Sequence, residues 1–209
     1  MNTIPGPLLI VEDVPNILDF LEVTLKFKGY EVMKAGNGQE ALDEIQKKRP
    51  ALVITDILMP KMDGFSLVYR LRTDPATREI PVVFLSATYV APEDKAFAMT
   101  IGATRFIEKP IDTEEFLLTI AELLTQGPLP PPPPLKEREF FLGYRQRLEM
   151  KLQQKNSQIA RAERLLETLP PEQKTGFIEL RQQSISDREE IQHELEFIKD
   201  FLEKNNSAI

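Results

Sequence analysis

The 209-residue chain contains no cysteine and only one histidine, His193. Without cysteine there is no disulfide framework and no thiolate metal site. A single histidine near the C-terminus excludes a histidine-rich metal site, and it excludes a Ser-His-Asp triad in the first half of the chain. These absences remove several common classes of catalytic and metal site.

Long apolar runs and a basic excess are also missing. No apolar stretch approaches the roughly 18 residues that a membrane span needs, and residues 7–11 (PLLIV) are too short for a signal peptide and lack its basic flank. The formal net charge is −7, with 13 basic and 19 acidic residues in 1–126 and 13 and 14 in the remainder. We therefore expect a cytoplasmic protein that binds neither nucleic acid nor membrane.

Apolar, strand-like segments alternate with helical patterns through the first 125 residues. Most of these strand-like segments are uniformly apolar, which indicates a parallel sheet covered by helices on both faces. In such sheets functional groups gather at the carboxyl ends of the strands. The predicted strands are residues 7–12, 30–35, 52–56, 81–87 and 105–109.

Polar side chains stand at the ends of four of these strands, namely Glu12 and Asp13, Asp56, Ser86, and Lys109. A lone carboxylate such as Asp56, at the end of a buried strand, is costly to desolvate unless it is paired or binds a cation. It is therefore a candidate functional residue, and the alternative is a helix N-cap or turn aspartate. The whole set favours a functional site at this edge of the sheet.

The C-terminal third has a different organisation. Residues 127–135 (GPLPPPPPL) favour polyproline II, which predicts a semi-rigid linker between a domain at 1–126 and a helical region at 136–209. A spacer is favoured over a ligand for a proline-reading partner domain.

Residues 136–169 and 172–204 carry near-heptad apolar patterns, which predict an antiparallel two-helix hairpin or coiled coil. The predicted apolar stripes are Phe141, Leu148, Leu152, Ile159, Ala162, Leu166 and Leu169 on the first helix and Phe177, Leu180, Ile191, Leu195, Ile198 and Leu202 on the second. A two-helix hairpin buries little apolar surface by itself. We therefore expect its stripes to be completed by a second copy of the chain, by the preceding domain or by another protein. No helix-turn-helix pattern with a basic reading face is visible.

The chain carries, in this order, Glu12-Asp13, Asp56 followed by Met59-Pro60 and Asp63-Gly64, Ser86-Ala87, Gly102-Ala103, Phe106 and Lys109-Pro110. On these motifs, residues 7–125 resemble the receiver domain of two-component response regulators. This resemblance implies a flavodoxin-like, doubly wound five-stranded parallel sheet of order 2-1-3-4-5, and it leaves residues 136–209 without a recognised family.

The resemblance further implies a Mg²⁺ site and a phosphoacceptor. Clustered carboxylates repel one another, and Mg²⁺ suits oxygen ligands. By the resemblance, Asp13, Asp56 and the backbone carbonyl of Leu58 would hold the ion, and Glu12 would act through water. Asp56 would accept a phosphoryl group from a histidine kinase or phosphotransfer protein, which gives an aspartyl phosphate.

Three further residues have roles implied by the resemblance. Lys109 would neutralise charge during transfer, Ser86 would hydrogen-bond the phosphoryl group, and Phe106 would turn inward as that hydroxyl moves. The simpler alternatives are a solvated strand-end lysine, a serine that satisfies a backbone group and a plain core phenylalanine. Leu58 occupies the position, two residues after Asp56, where a phosphatase would want a general acid, so we do not expect turnover of external phosphate esters.

Three functions follow from these patterns. The first is a phosphorylation-controlled response regulator whose output is protein association through the hairpin rather than DNA binding. The second is a phosphorylation-independent scaffold with a vestigial receiver. The third, a fragment of a hybrid histidine kinase, rests on His193 in the run HELEF. That histidine lies on the second predicted helix, no proline follows it and no ATP-binding domain comes after it, so an exposed helical histidine is favoured.

Overall fold

The computed structural model describes residues 6–86, 92–125 and 136–206. The chain divides into two compact units, Met1–Leu135 and Lys136–Ile209. Among the helices in the described ranges, none combines the length and the apolar character that a membrane crossing requires. The predicted linker at 127–135 lies outside the described residues.

The first unit is a parallel sheet flanked by helices. In its described residues the sheet has five strands in the order β2-β1-β3-β4-β5, and every neighbouring pair is parallel. This confirms the predicted fold class. Its elements are β1 (Leu8–Val11), α1 (Pro15–Phe27), β2 (Val32–Ala35), α2 (Gly38–Lys47), β3 (Leu52–Asp56), α3 (Gly64–Thr73), β4 (Val82–Ser86), α4 (Pro92–Thr100), β5 (Arg105–Glu108) and α5 (Thr113–Thr125).

The core lies where the central strands meet the helices. Every residue of β1 is fully buried, as are the first three residues of β3 and the first four of β4. Uniformly apolar strands suit this position because helices cover both faces of the sheet. Their helical partners in one buried cluster of the core are Leu21, Leu25, Phe116, Ile120 and Leu123.

Local sequence sets the starts of the helices. Pro15 begins α1, where its missing N–H costs no hydrogen bond. Asn37 caps α2 by accepting hydrogen bonds from two backbone N–H groups at 3.1 Å. Asp63 caps α3 and Asp112 caps α5 in the same way. The chain therefore leaves several strands at the same edge of the sheet and enters helices there at defined positions.

Arg72 links α3 to the far side of the sheet. Its buried guanidinium donates hydrogen bonds to the carbonyl oxygens of Gly102 (2.8 and 3.2 Å), Ile80 (2.9 Å) and Arg78 (3.0 Å). Burial lowers the pKa of Arg72 to about 10. The turn that precedes β5 is thus tied to the end of α3.

The second unit is an antiparallel hairpin, as predicted. In its described residues two long helices, α6 (Glu137–Thr168) and α7 (Thr175–Asn206), are joined by a 3₁₀ turn at Pro171–Gln173. Phe141 packs on Phe201 with ring centroids 4.3 Å apart. Nearer the middle of α6, the Tyr144 hydroxyl donates a hydrogen bond to Glu194 at 2.6 Å.

The seam of this hairpin is interrupted by polar groups. Lys155 pairs with Asp187 at 2.5 Å, and Ser184 is buried beside the apolar positions. Five predicted stripe residues are only half-buried, namely Leu152, Leu166, Leu169, Phe177 and Ile191. The prediction was wrong for Leu180, which is 53% exposed. The remaining residues of the two predicted stripes are buried, namely Phe141, Leu148, Ile159, Ala162, Leu195, Ile198 and Leu202.

Candidate functional site

Three carboxylates meet at the carboxyl edge of the sheet. The register of β1 on β3 pairs Val11 with Thr55, so the residues that follow, Glu12 and Asp56, lie side by side. One ligand oxygen each from Glu12, Asp13 and Asp56 lies within 4.8 Å of the others. Glu12 is buried, Asp56 is half-buried and Asp13 is exposed, so the cluster opens to solvent on the side of Asp13.

Lys109 brings a positive charge into this cluster. Its Nζ lies 2.8 Å from Glu12 Oε2 and 3.4 Å from Asp56 Oδ1. The residue follows β5, and its backbone N–H donates to the carbonyl of Ser86 at 2.6 Å. The pairing of β5 with β4 therefore brings a lysine to Asp56 and to Glu12, which stands 97 residues earlier in the chain. The peptide bond that follows, Lys109–Pro110, is cis.

Burial dominates the electrostatics of Asp56. It raises the pKa of Asp56 from 3.8 to about 6, because a buried carboxylate loses the hydration of its charged form. The ammonium group of Lys109 opposes this shift, while the neighbouring Glu12 carboxylate adds to it. At neutral pH Asp56 is therefore ionised although burial disfavours its charge. The site contains three carboxylates and one ammonium group.

The loop after β3 is built around a close approach at Gly64. A Cβ atom at this position would lie 2.2 Å from the Asp56 carbonyl oxygen and 2.9 Å from the ring of Phe84. The Gly64 N–H donates to the carbonyl of Ile57 at 2.9 Å, which closes the base of the loop. Leu58 lies within this loop and is 53% exposed. Gly64 belongs to the motif Asp63-Gly64, but the sequence did not indicate that the close contact with the Asp56 backbone requires a glycine.

The donor set fits a hard divalent cation. The candidate ligands are carboxylate oxygens, and Mg²⁺ prefers oxygen ligands and keeps several waters. Separations of up to 4.8 Å allow one ion to contact these groups directly or through water. The excess of carboxylates over ammonium groups also favours a bound cation electrostatically. Glu12, Asp13 and Asp56 are therefore the residues that could hold it.

The remaining predicted site residues lie on the neighbouring strands. Ser86 ends β4 and is buried. Phe106 is half-buried in β5, with the ammonium group of Lys95 5.8 Å from its ring centroid. His193 is exposed on α7, in the second unit. Ala87, the other half of the Ser86-Ala87 motif, lies outside the described residues.

Comparison with known proteins gives several related sequences. The "DNA-binding dual master transcriptional regulator RpaA" of Synechocystis sp. is 33% identical, over 58% of this chain and 57% of its own length. The "Uncharacterized transcriptional regulatory protein YkoG" of Bacillus subtilis is 32% identical, over 80% of this chain and 69% of its own length. The chain thus spans little more than half the length of the first of these proteins.

A solved structure gives the same result for the fold. The chemotaxis response regulator CheY4 of Vibrio cholerae is 35% identical, with a TM-score of 0.53, over 57% of this chain and 98% of its own. The family model for the response regulator receiver domain matches residues 8–121 and stops before the hairpin. Since that match covers more than half of the chain and coincides with the acid cluster, the chain belongs to the response regulator receiver family.

Proposed function

We propose that the protein is a phosphorylation-controlled response regulator in which Asp56 is the phosphoacceptor. One observation carries this proposal: Glu12, Asp13 and Asp56 converge within 4.8 Å, and the Lys109 ammonium group lies against two of them. An enclosed anionic nucleophile with an adjacent cation suits phosphoryl transfer, because the transferred group carries its negative charge on its oxygens.

The proposed roles of the residues come from the resemblance to receiver domains, and their positions support them. An Asp56 carboxylate oxygen attacks phosphorus, the bond from phosphorus to the donor atom breaks, and an aspartyl phosphate forms. Lys109 Nζ, 3.4 Å from Asp56 Oδ1, neutralises charge on the incoming phosphoryl oxygens. Asp13, Asp56 and the Leu58 carbonyl would hold Mg²⁺, and Glu12 would act through water. The bound ion would supply further neutralisation of phosphoryl charge.

Ser86 and Phe106 are the proposed link from the site to the surface. Ser86 is buried at the end of β4, one strand away from Asp56, and its hydroxyl would hydrogen-bond the phosphoryl group. Phe106 lies on β5, opposite Phe84 in the register, and is half-buried. That intermediate burial supports a ring that can turn inward when the Ser86 hydroxyl moves.

An exposed apolar stripe on α1 supports a protein as the phosphodonor. Phe20, Val23 and Phe27 are 46%, 66% and 85% exposed, and their spacing places them on one face of the helix. This helix begins two residues after Asp13. A helix of a histidine kinase or phosphotransfer protein would pack on the stripe and bring its phosphohistidine to Asp56.

The proposal predicts labelling by a small phosphodonor. Incubation with acetyl phosphate and Mg²⁺, followed by intact mass spectrometry, should give a phosphate-sized adduct on the wild type and none on Asp56→Asn. Asp187→Asn, a carboxylate change in the hairpin, is the matched control and should be labelled like the wild type. No adduct on the wild type, or an equal adduct on Asp56→Asn, would refute the assignment. No sustained release of phosphate is expected, since Leu58 offers no general acid at the site.

We propose further that the output passes through the hairpin to a protein partner. Residues 136–209 carry 13 basic and 14 acidic residues, so this region lacks the positive charge with which proteins bind nucleic-acid phosphates. Two of its apolar side chains, Leu165 and Leu180, are 40% and 53% exposed, which supports association with a second copy or with another helical protein.

Size-exclusion chromatography with light scattering tests this output. Beryllofluoride, which mimics a bound phosphoryl group, should change the oligomeric state or the partner complex of the full chain. An unchanged mass with and without beryllofluoride, together with normal labelling of Asp56, would favour a scaffold over a switch. Retention on duplex DNA at physiological salt would instead favour a transcriptional output, as the name of RpaA states for that protein.

A further inference from the structure

The N-terminus of α2 touches the loop that follows β3. This loop runs from Ile57 to Asp63 and contains Leu58, whose carbonyl is a proposed Mg²⁺ ligand. Its base is closed by the hydrogen bond from Gly64 to Ile57. Its far end is held from outside, because the backbone N–H of Gly38 donates to the carbonyl oxygen of Met62 at 3.0 Å.

This hydrogen bond uses a donor that the helix itself leaves free. The first N–H groups of an α-helix have no acceptor within the helix. In α2 the next two, of Gln39 and Glu40, are taken by the Asn37 side chain at 3.1 Å. The N–H of Gly38 remains available, and the loop supplies its acceptor. The helix start and the loop are thus joined backbone to backbone.

The contact is also too close for any side chain at position 38. A Cβ atom there would lie 2.7 Å from Met62 Cγ, 2.9 Å from its carbonyl oxygen and 3.0 Å from Sδ. The Met62 side chain is buried against this surface, at 8% exposure. Truncating the flexible part of Met62 would relieve two of these contacts, but the backbone oxygen would still have to move.

We infer that Gly38 is a positioning residue for the metal site: by admitting Met62 against the start of α2, it sets the path of the loop that carries Leu58. The inference rests on the proposed function, because the loop matters only if its carbonyl binds the cation. Gly38 itself touches neither the cation nor the phosphoryl group. Its effect on metal affinity comes through the position of the loop, as for other groups that orient ligands from outside the coordination sphere.

Calorimetric titration of Mg²⁺ into the full chain tests the inference. Gly38→Ala should weaken Mg²⁺ binding about 10-fold, with an unchanged far-UV circular dichroism spectrum in EDTA. Gly176→Ala, in α7, is the matched control, because a Cβ atom at position 176 would have no close neighbour within 4 Å. It should bind Mg²⁺ like the wild type.

A second readout separates positioning from a general loss of structure. Labelling of Gly38→Ala by acetyl phosphate should be slow at low Mg²⁺ and should return to the wild-type rate when Mg²⁺ is raised in proportion to the lost affinity. A fold defect would not be corrected in this way. If Gly38→Ala does not fold, Met62→Ala decides the question, since it loosens the same contact and should weaken Mg²⁺ binding about threefold.

The outcomes distinguish this inference from the proposed function. Three results would overturn the positioning role of Gly38 and leave the phosphoacceptor assignment standing. These are wild-type affinity in Gly38→Ala, equal weakening in Gly176→Ala and, where Gly38→Ala does not fold, wild-type affinity in Met62→Ala. Absence of Mg²⁺ binding in the wild type would instead remove the proposed metal site, and the positioning role with it.

Discussion

The two units of this chain handle polar groups in opposite ways. In the receiver, β1 and most of β3 and β4 are fully buried and apolar, and the acids gather at one edge of the sheet. In the hairpin, Lys155, Asp187 and Ser184 lie along the seam itself. Polar groups that are concentrated at one edge leave the core intact and create a site. Those distributed along a seam restrict which register the helices adopt.

The same contrast holds for single carboxylates. Burial raises the pKa of Asp56 to about 6 despite the nearby Lys109. Burial also opposes ionisation of Asp187, but hydrogen bonds from Lys155 and Gln183 outweigh it and lower the pKa of Asp187. Ionisation of Asp56 therefore destabilises the folded receiver, whereas ionisation of Asp187 stabilises the folded hairpin. Strain of this kind is expected at functional residues rather than at structural ones.

The largest expected effect separates the two cores. Phe116→Ala removes a fully buried ring from the receiver and should cost about 3–5 kcal/mol of unfolding free energy in that unit. Leu166→Ala removes a half-buried side chain from the seam and should cost about 1 kcal/mol. Hydrogen exchange followed by mass spectrometry reports the two units separately. Equal losses from the two substitutions would contradict the difference in packing.

Asp56→Asn should stabilise the receiver in the absence of Mg²⁺. The pKa of Asp56 in the folded protein, about 6, lies above its unfolded value, so stability is lost as pH rises from about 4 through 6. A difference of about two pKa units corresponds to about 3 kcal/mol, which the substitution should restore at pH 7.5 and not below pH 4. Thermal unfolding in EDTA across this pH range is the measurement.

A matched control for this effect is Asp13→Asn. Asp13 belongs to the same cluster but is exposed, so its neutralisation should change the stability of the Mg²⁺-free protein by less than about 0.5 kcal/mol. If Asp56→Asn gives no gain in stability at pH 7.5, or an equal gain at pH 4, burial of the Asp56 charge does not destabilise the Mg²⁺-free protein.

Apart from that control, the smallest expected effect is in the hairpin, and its sign is opposite to that of Asp56→Asn. Asp187→Asn should destabilise the hairpin by about 0.5 to 1 kcal/mol at neutral pH, a value reduced for solvent screening of a partly exposed pair. Because the folded pKa of Asp187 is lowered, this contribution is present above the unfolded pKa and disappears as pH falls below it. Hydrogen exchange in α7 at two salt concentrations measures this contribution. If Asp187→Asn instead stabilised the hairpin, the Lys155–Asp187 pair would not be net favourable.

The receiver could be predicted from sequence because its signals are local and agree with one another. Uniformly apolar strands indicated a sheet that is buried on both faces, and the structure confirms it. The sheet order came from the resemblance, and the register of the strands then brought Glu12 beside Asp56.

What could not be predicted depends on contacts between distant segments. Nothing in the sequence around Arg72 indicates that it would bind carbonyls 6 to 30 residues away. The closer approach of Lys109 to Glu12 than to Asp56 requires the packed sheet edge. The contact of Gly38 with Met62 likewise joins the start of α2 to the loop after β3, and the local sequence of neither segment indicates it. In the hairpin, the heptads predicted the helices, but not which seam positions would remain half-buried.

The central claim is that the acids at the sheet edge form one magnesium site around a nucleophilic aspartate. Calorimetric titration of Mg²⁺ at pH 7.5 tests it most directly. The account predicts one ion bound per chain, affinity reduced roughly 10-fold in Asp13→Asn and affinity unchanged in Asp187→Asn. An absence of Mg²⁺ binding in the wild type, or an affinity that Asp13→Asn leaves unchanged, would contradict it.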